Sequence, residues 1–144
     1  MEANPRIGFF EAIKKAFKNY INFNGRSRRS EYWWFFLFNS IIGTILLILA
    51  FAFGKETTKN GYKIIEANKF FIVLICIYYI AIFLPGLGLS VRRLHDIGKS
   101  GWYFLIVFIP FGAFILLYFF CIDSENLSNE YGESPKYGKN SSLV

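Results

Sequence analysis

Three stretches of this chain contain no Asp, Glu, Lys or Arg: residues 33–53, 70–91 and 102–122, which are 21, 22 and 21 residues long. Runs of that length leave few ways to fold. A bilayer core about 30 Å thick needs about 20 helical residues at about 1.5 Å each. Core helices of soluble proteins ordinarily run shorter and keep a polar face. No segment alternates as a half-buried strand would, and 54% of the 144 residues are hydrophobic. In lipid a segment must satisfy its own backbone groups, so each run is expected to be a helix. The expected fold is an all-α membrane protein of a single domain, with three transmembrane helices at 33–53, 70–91 and 102–122 and a polar tail at 123–144.

The N-terminal segment does not read as a cleaved signal peptide, which has a basic start, a short apolar core and a small-residue cleavage site. Phe9, Ile13, Phe17 and Ile21 instead recur at helical spacing, with Lys14, Lys15 and Lys18 away from the stripe. An amphipathic helix over 7–24 is expected, lying in the membrane interface with its apolar side toward the acyl chains. Packing against its own fold would produce the same pattern.

Cations beside the runs give an orientation. Seven Lys or Arg precede residue 33 and three follow residue 91, against four in the 54–69 loop and two in the tail. With three spans the positive-inside rule puts the N-terminus and residues 92–101 in the cytoplasm and the tail outside. A tail returning to the cytoplasm would require a fourth crossing or a re-entrant segment. Pro85, followed by Gly86 and Gly88, is a candidate break in the second helix, and Pro110-Phe111-Gly112 is a similar feature in the third. Tyr32-Trp33-Trp34 and Trp102-Tyr103 read as interfacial anchors, and Asn39, Ser40 and Thr44 as helix–helix contacts. Cys76 and Cys121 lie at different expected depths and read as small apolar residues rather than a disulfide.

The polar chemistry concentrates in two places. Arg92-Arg93-Leu94-His95-Asp96-Ile97-Gly98-Lys99-Ser100-Gly101 joins the second and third runs and carries the one histidine of the chain. Gly25-Arg26-Ser27-Arg28-Arg29-Ser30-Glu31 leads into the first. No phosphate-binding loop, HExxH or GxSxG occurs, and no Cys/His spacing suits a metal. His95 and Asp96 are sequence neighbours, and neighbours on a helix point in different directions. No catalytic residue, metal or cofactor is therefore assigned. The net charge of +6 sits beside the spans, which favours anionic headgroups over nucleic acid as its partner.

The order of these motifs carries a resemblance. Phe23-Asn24-Gly25-Arg26-Ser27-Arg28-Arg29-Ser30-Glu31-Tyr32-Trp33 enters the first run, Arg92-Arg93-Leu94-His95-Asp96 follows Leu84-Pro85, and Ser100-Gly101-Trp102 opens the third. The tail holds Asn129-Glu130-Tyr131-Gly132-Glu133-Ser134-Pro135. From about Phe9 to Pro135 the chain resembles the domain of unknown function 805 family of small bacterial inner-membrane proteins. The polar loop 54–69 looks like an insertion, and Gly132-Glu133 stands where the family tends to have Gly-Pro. The resemblance implies a multi-pass fold in the bacterial inner membrane and no established activity.

On the expected topology Arg26, Arg28, Arg29, Glu31, Arg92, Arg93, His95 and Asp96 gather at the cytoplasmic interface. Asp96 is expected to pair with Arg26 or Arg28, and Glu31 with Arg92 or Arg93, stapling the first helix to residues 92–101 while the other arginines hold lipid phosphates. The expected function is non-enzymatic: a cluster that fixes the bundle and binds anionic lipid or a partner protein. The alternatives are a small oligomeric transporter or channel, or an accessory subunit of a membrane complex, and thirdly an enzyme acting on lipid phosphates.

Overall fold

The computed structural model describes residues 3–59 and 61–138. Its elements run α1 (Phe9–Lys18), α2 (Arg29–Ala52), β1 (Lys55–Lys59), β2 (Tyr62–Glu66), α3 (Lys69–Asp96), a 3₁₀ helix (Gly101–Phe108) and α4 (Gly112–Cys121). The chain divides into one unit of residues 1–35 with 84–144 and a second of residues 36–83.

Two helices, α2 and α3, are long and apolar enough to cross a membrane, and only 11% and 6% of their most apolar windows are buried. A soluble core helix would be mostly covered. Here Ile45, Ile48, Phe51, Val73, Ile77, Ile80 and Phe83 stand exposed, so these helices need lipid or another protein around them. In the second unit the Tyr78 hydroxyl donates to Asn39 Oδ1 at 2.7 Å. Gly43 faces the Tyr79 ring so closely that a β-carbon there would overlap the hydroxyl.

The 54–69 loop is not irregular. β1 and β2 form an antiparallel hairpin with Thr57 opposite Ile64, Glu56 opposite Ile65 and Lys55 opposite Glu66. The β-branched residues suit a pleated surface, and the Lys–Glu pair is a favourable cross-strand contact. The expectation of an all-α chain is corrected to a mostly helical one with one two-stranded sheet. The strands escaped sequence reading because β2 is exposed throughout, and a strand with no buried face has no alternation to detect.

Pro85 does not break α3, which runs unbroken from Lys69 to Asp96. Ser90 Oγ donates to the Gly86 carbonyl at 2.8 Å and Arg92 Nε to that of Gly88 at 3.2 Å. Side chains thus reinforce the backbone beyond the proline. Gly88 also lets the Asn22 carbonyl approach closely.

The third apolar run departs most from expectation. It is two short pieces, the 3₁₀ helix and α4, that pack against each other. Pro110 disfavours helical geometry at Ile109, which is extended at φ −91°, ψ 140°. Phe111 takes the left-handed region at φ 64°, and a β-carbon on Gly112 would overlap the Ile106 carbonyl oxygen. The chain therefore doubles back, and Leu116 and Phe120 of α4 bury against Leu94 near the end of α3. A single helix over 102–122 is corrected to this apolar hairpin, and the tail begins at the same end of α3 where the hairpin starts.

Helix α1 covers Phe9–Lys18 rather than 7–24. Its buried side is the small pair Ala12 and Ala16, and Ala16 packs with Phe35 and Leu89. Phe10 remains exposed. The helix docks on its own unit through alanines, while its phenylalanine stripe is only partly covered.

Candidate functional site

Residues 92–96 are the last turn of α3 rather than a loop. A Schellman motif ends the helix: Lys99 N–H donates to Leu94 O at 2.9 Å and Gly98 N–H to His95 O at 3.1 Å. Gly98 supplies the left-handed residue at φ 66°. Helical geometry then sends the neighbours His95 and Asp96 to different partners.

Asp96 is the centre of the site and is fully buried. Its Oδ1 accepts from Arg26 Nε at 3.0 Å and its Oδ2 from Arg93 Nη1 at 2.8 Å. Arg26 continues outward. Its Nη1 donates to Leu127 O at 2.8 Å and Gly132 O at 3.3 Å, and its Nη2 donates to Asp96 O at 3.1 Å and Glu125 O at 2.8 Å. Arg93 Nη2 donates to the Ile122 carbonyl. Two guanidiniums therefore hold one carboxylate and four carbonyls of residues 122–132. Such a charge pair is tolerable in a dry site only when its remaining donors are satisfied, and the tail carbonyls do most of that.

Other contacts lock the same region. Ser27 N–H donates to Arg92 O at 3.0 Å and Glu125 N–H to Asp96 O at 3.1 Å. The His95 ring stacks on Tyr131 with centroids 3.8 Å apart and planes 4° apart, and its Nδ1 lies 3.1 Å from the Gly25 carbonyl. An Nδ1–H donor there would fix the ring by one edge and one face. Asn129 Nδ2 donates to His95 O at 2.9 Å.

Glu31 is also buried, but its direct cation is Lys15 of α1, at 2.6 Å. Ser27 Oγ donates to its other oxygen at 2.8 Å. Arg92 and Glu31 interact electrostatically without a salt bridge, so the expected Glu31–Arg92 or Glu31–Arg93 pair is corrected to Glu31–Lys15. Arg28 and Arg29 stay outside the buried core. Arg28 Nη1 donates to Asn4 O at 2.9 Å and Pro5 O at 3.0 Å. Arg29 Nη1 donates to Cys121 O at 3.1 Å, with its Nη2 3.7 Å from Asp123.

The eight residues singled out from sequence thus separate into two groups. Arg26, Glu31, Arg92, Arg93, His95 and Asp96 are buried, and Arg28 and Arg29 line a more open pocket with Asp123 and Lys136. Lys136 donates to Asp123 at 2.5 Å. Burial acts to raise the Asp123 carboxyl, but that hydrogen bond, the Ser124 N–H and Arg29 outweigh it and hold the group below its ordinary range. The same Asp123 contact raises Lys136. Sequence reading missed Lys15, Asp123, Lys136 and the tail carbonyls. Every residue owns a carbonyl, so no residue type marks the ones that matter. Among the described residues no three His, Cys, Asp or Glu side chains gather to hold a metal ion.

Residues 20–133 match the family model described as protein of unknown function (DUF805). The chain belongs to the DUF805 family. Two relatives from Escherichia coli strain K12 show how far the likeness extends. Inner membrane protein YhaI is 42% identical over 124 residues, covering 85% of this chain and 93% of the relative. Inner membrane protein YhaH is 37% identical over 123 residues, with the same coverage. No solved structure matches the chain. The DUF805 match spans both arginine motifs, the apolar hairpin and the four carbonyls of residues 122–132 that Arg26 and Arg93 hold.

Proposed function

We propose that this chain is an integral protein of a bacterial inner membrane, with α2 and α3 as full spans and the apolar hairpin as a re-entrant element in place of a third. On this reading the N-terminal segment, the turn after α3 and the tail share the cytoplasmic face. Length supports it. Ten α-helical residues rise about 15 Å and eight 3₁₀ residues about 16 Å, half of a core about 30 Å thick. Charge supports it too, because only the four lysines of 54–69 among sixteen Lys and Arg would then lie outside. The names of both relatives agree with the location.

The role these features favour is structural and non-catalytic. Arg26, Asp96 and Arg93 staple the N-terminal motif, the end of α3 and the tail into one platform, and cations left at its surface meet anionic headgroups. The observation that carries this reading is the complete burial of Asp96 between two guanidiniums, with Arg26 Nη1, Arg26 Nη2 and Arg93 Nη2 donating to tail carbonyls. Thermal unfolding of Arg93→Ala and Asp96→Ala in detergent tests it. Both variants are expected to melt well below wild type; unchanged melting would remove the staple.

A further inference from the structure

Beside the staple lies a polar cavity of about 220 Å³ lined, among the described residues, by four cations, Arg6, Arg28, Arg29 and Lys136, and one carboxylate, Asp123. The Ser30 hydroxyl on its wall is buried without a hydrogen-bond partner among the described residues, and Trp33 also lines the cavity. The cavity sits at the first turn of α2, which opens at Arg29, where the helix dipole adds positive potential. One carboxylate does not neutralise four cations, and an idle hydroxyl is a donor awaiting an acceptor. We infer that this cavity is a phosphate-binding site, taking the tetrahedral oxyanion of a phospholipid headgroup or of free phosphate.

The chemistry fits that ligand in detail. Arginine forks offer paired donors matched to phosphate oxygens. Arg28 and Arg29 are held in place by the Asn4, Pro5 and Cys121 carbonyls through Nη1, which leaves their Nη2 groups for a ligand, that of Arg29 at the price of its long contact to Asp123. Lys136 and Asp123 form the closing pair, so an incoming phosphate competes with Asp123 for Lys136 and Arg29. Trp33 lies among the aromatic residues that open α2, at the level where indole rings meet headgroups.

This site rests on the platform described above for its placement at the membrane surface, but it can fail separately from the staple. The full chain in neutral detergent is titrated with dioctanoyl phosphatidylglycerol, with dioctanoylglycerol lacking the phosphate, and with inorganic phosphate, and bound species are counted by native mass spectrometry. Phosphatidylglycerol is expected to bind and dioctanoylglycerol not to. Inorganic phosphate that displaces the lipid identifies phosphate itself as the ligand, and failure to displace it identifies the headgroup; both support the site. Arg6→Gln and Lys136→Gln should each weaken binding by about tenfold, as loss of one charge-assisted contact does, with melting unchanged in Arg6→Gln and only slightly lowered in Lys136→Gln. Asp123→Asn should tighten it. Equal affinity in the Arg6→Gln/Lys136→Gln double variant, equal binding of dioctanoylglycerol, or no binding of any phosphate species overturns the proposal. Unchanged melting of Asp96→Ala with phosphate binding intact removes the staple and leaves the site.

Discussion

The two units of this protein solve opposite problems with different chemistry. Residues 36–83 are apolar helix and a polar hairpin, with Ala50 the one buried hydrophobic side chain among those described there. Their helices owe their form to backbone hydrogen bonds that lipid cannot replace, and the side chains mostly face outward. The unit of residues 1–35 and 84–138 instead buries charge. Asp96, Arg93, Arg92 and Glu31 are nearly or fully covered, and Asp96, Arg93 and Glu31 each take a partner from a distant part of the chain. One unit is shaped by its surroundings and the other by internal ion pairs, so the same kind of substitution should cost very different amounts in the two.

The largest effect is expected at the staple. Asp96→Ala or Arg93→Ala strands buried charge and should cost about 3–5 kcal/mol, read as a large drop in melting temperature. Gly98→Ala comes next, at about 1–2 kcal/mol, because alanine resists the left-handed geometry that ends α3, and its β-carbon would also press on the Glu125 carboxylate. Tyr78→Phe in the second unit should cost only about 0.6 kcal/mol, the usual worth of a hydrogen bond between membrane helices. A drop there as large as that of Asp96→Ala would erase the contrast between the units.

The smallest effect is expected on titrating the Asp123–Lys136 pair. The Asp123 carboxyl is held below its ordinary range, so its contribution is present at neutral pH and is lost as pH falls through its lowered folded value. Wild type and Asp123→Asn should therefore differ slightly at neutral pH and converge in acid, measured as paired melting curves. Half-exposure of the carboxylate keeps the difference small. A difference that grows in acid would contradict the pairing.

Much of the helical content was legible because charge-free runs of about 20 residues have one main use. The two arginine motifs were legible as a pair, and Asp96 does take Arg26, one of the two partners expected for it. Three things were hidden. The hairpin of β1 and β2 has no buried face. The doubling back at Pro110-Phe111-Gly112 depends on a non-glycine left-handed residue, Phe111, which no residue preference announces. The tail's role lies in carbonyls at Ile122, Glu125, Leu127 and Gly132, which are invisible to any reading of side chains. The expected outward tail rested on a third span, whereas the carbonyls of Ile122, Glu125 and Leu127 accept from Arg26 and Arg93 beside Asp96, at the C-terminal end of α3.

The side of the membrane that holds the tail tests the staple most directly, because Arg26 and Arg93 reach the tail only if it lies with the N-terminal motif. With Cys76 and Cys121 replaced by serine, single cysteines at Glu133 in the tail and Lys63 in the hairpin loop can be labelled by a membrane-impermeant maleimide in intact cells and in inverted vesicles. Glu133→Cys is expected to react only in inverted vesicles and Lys63→Cys only in intact cells. Labelling of both from the same side would place the tail across the membrane from the arginine motifs and contradict the proposed topology.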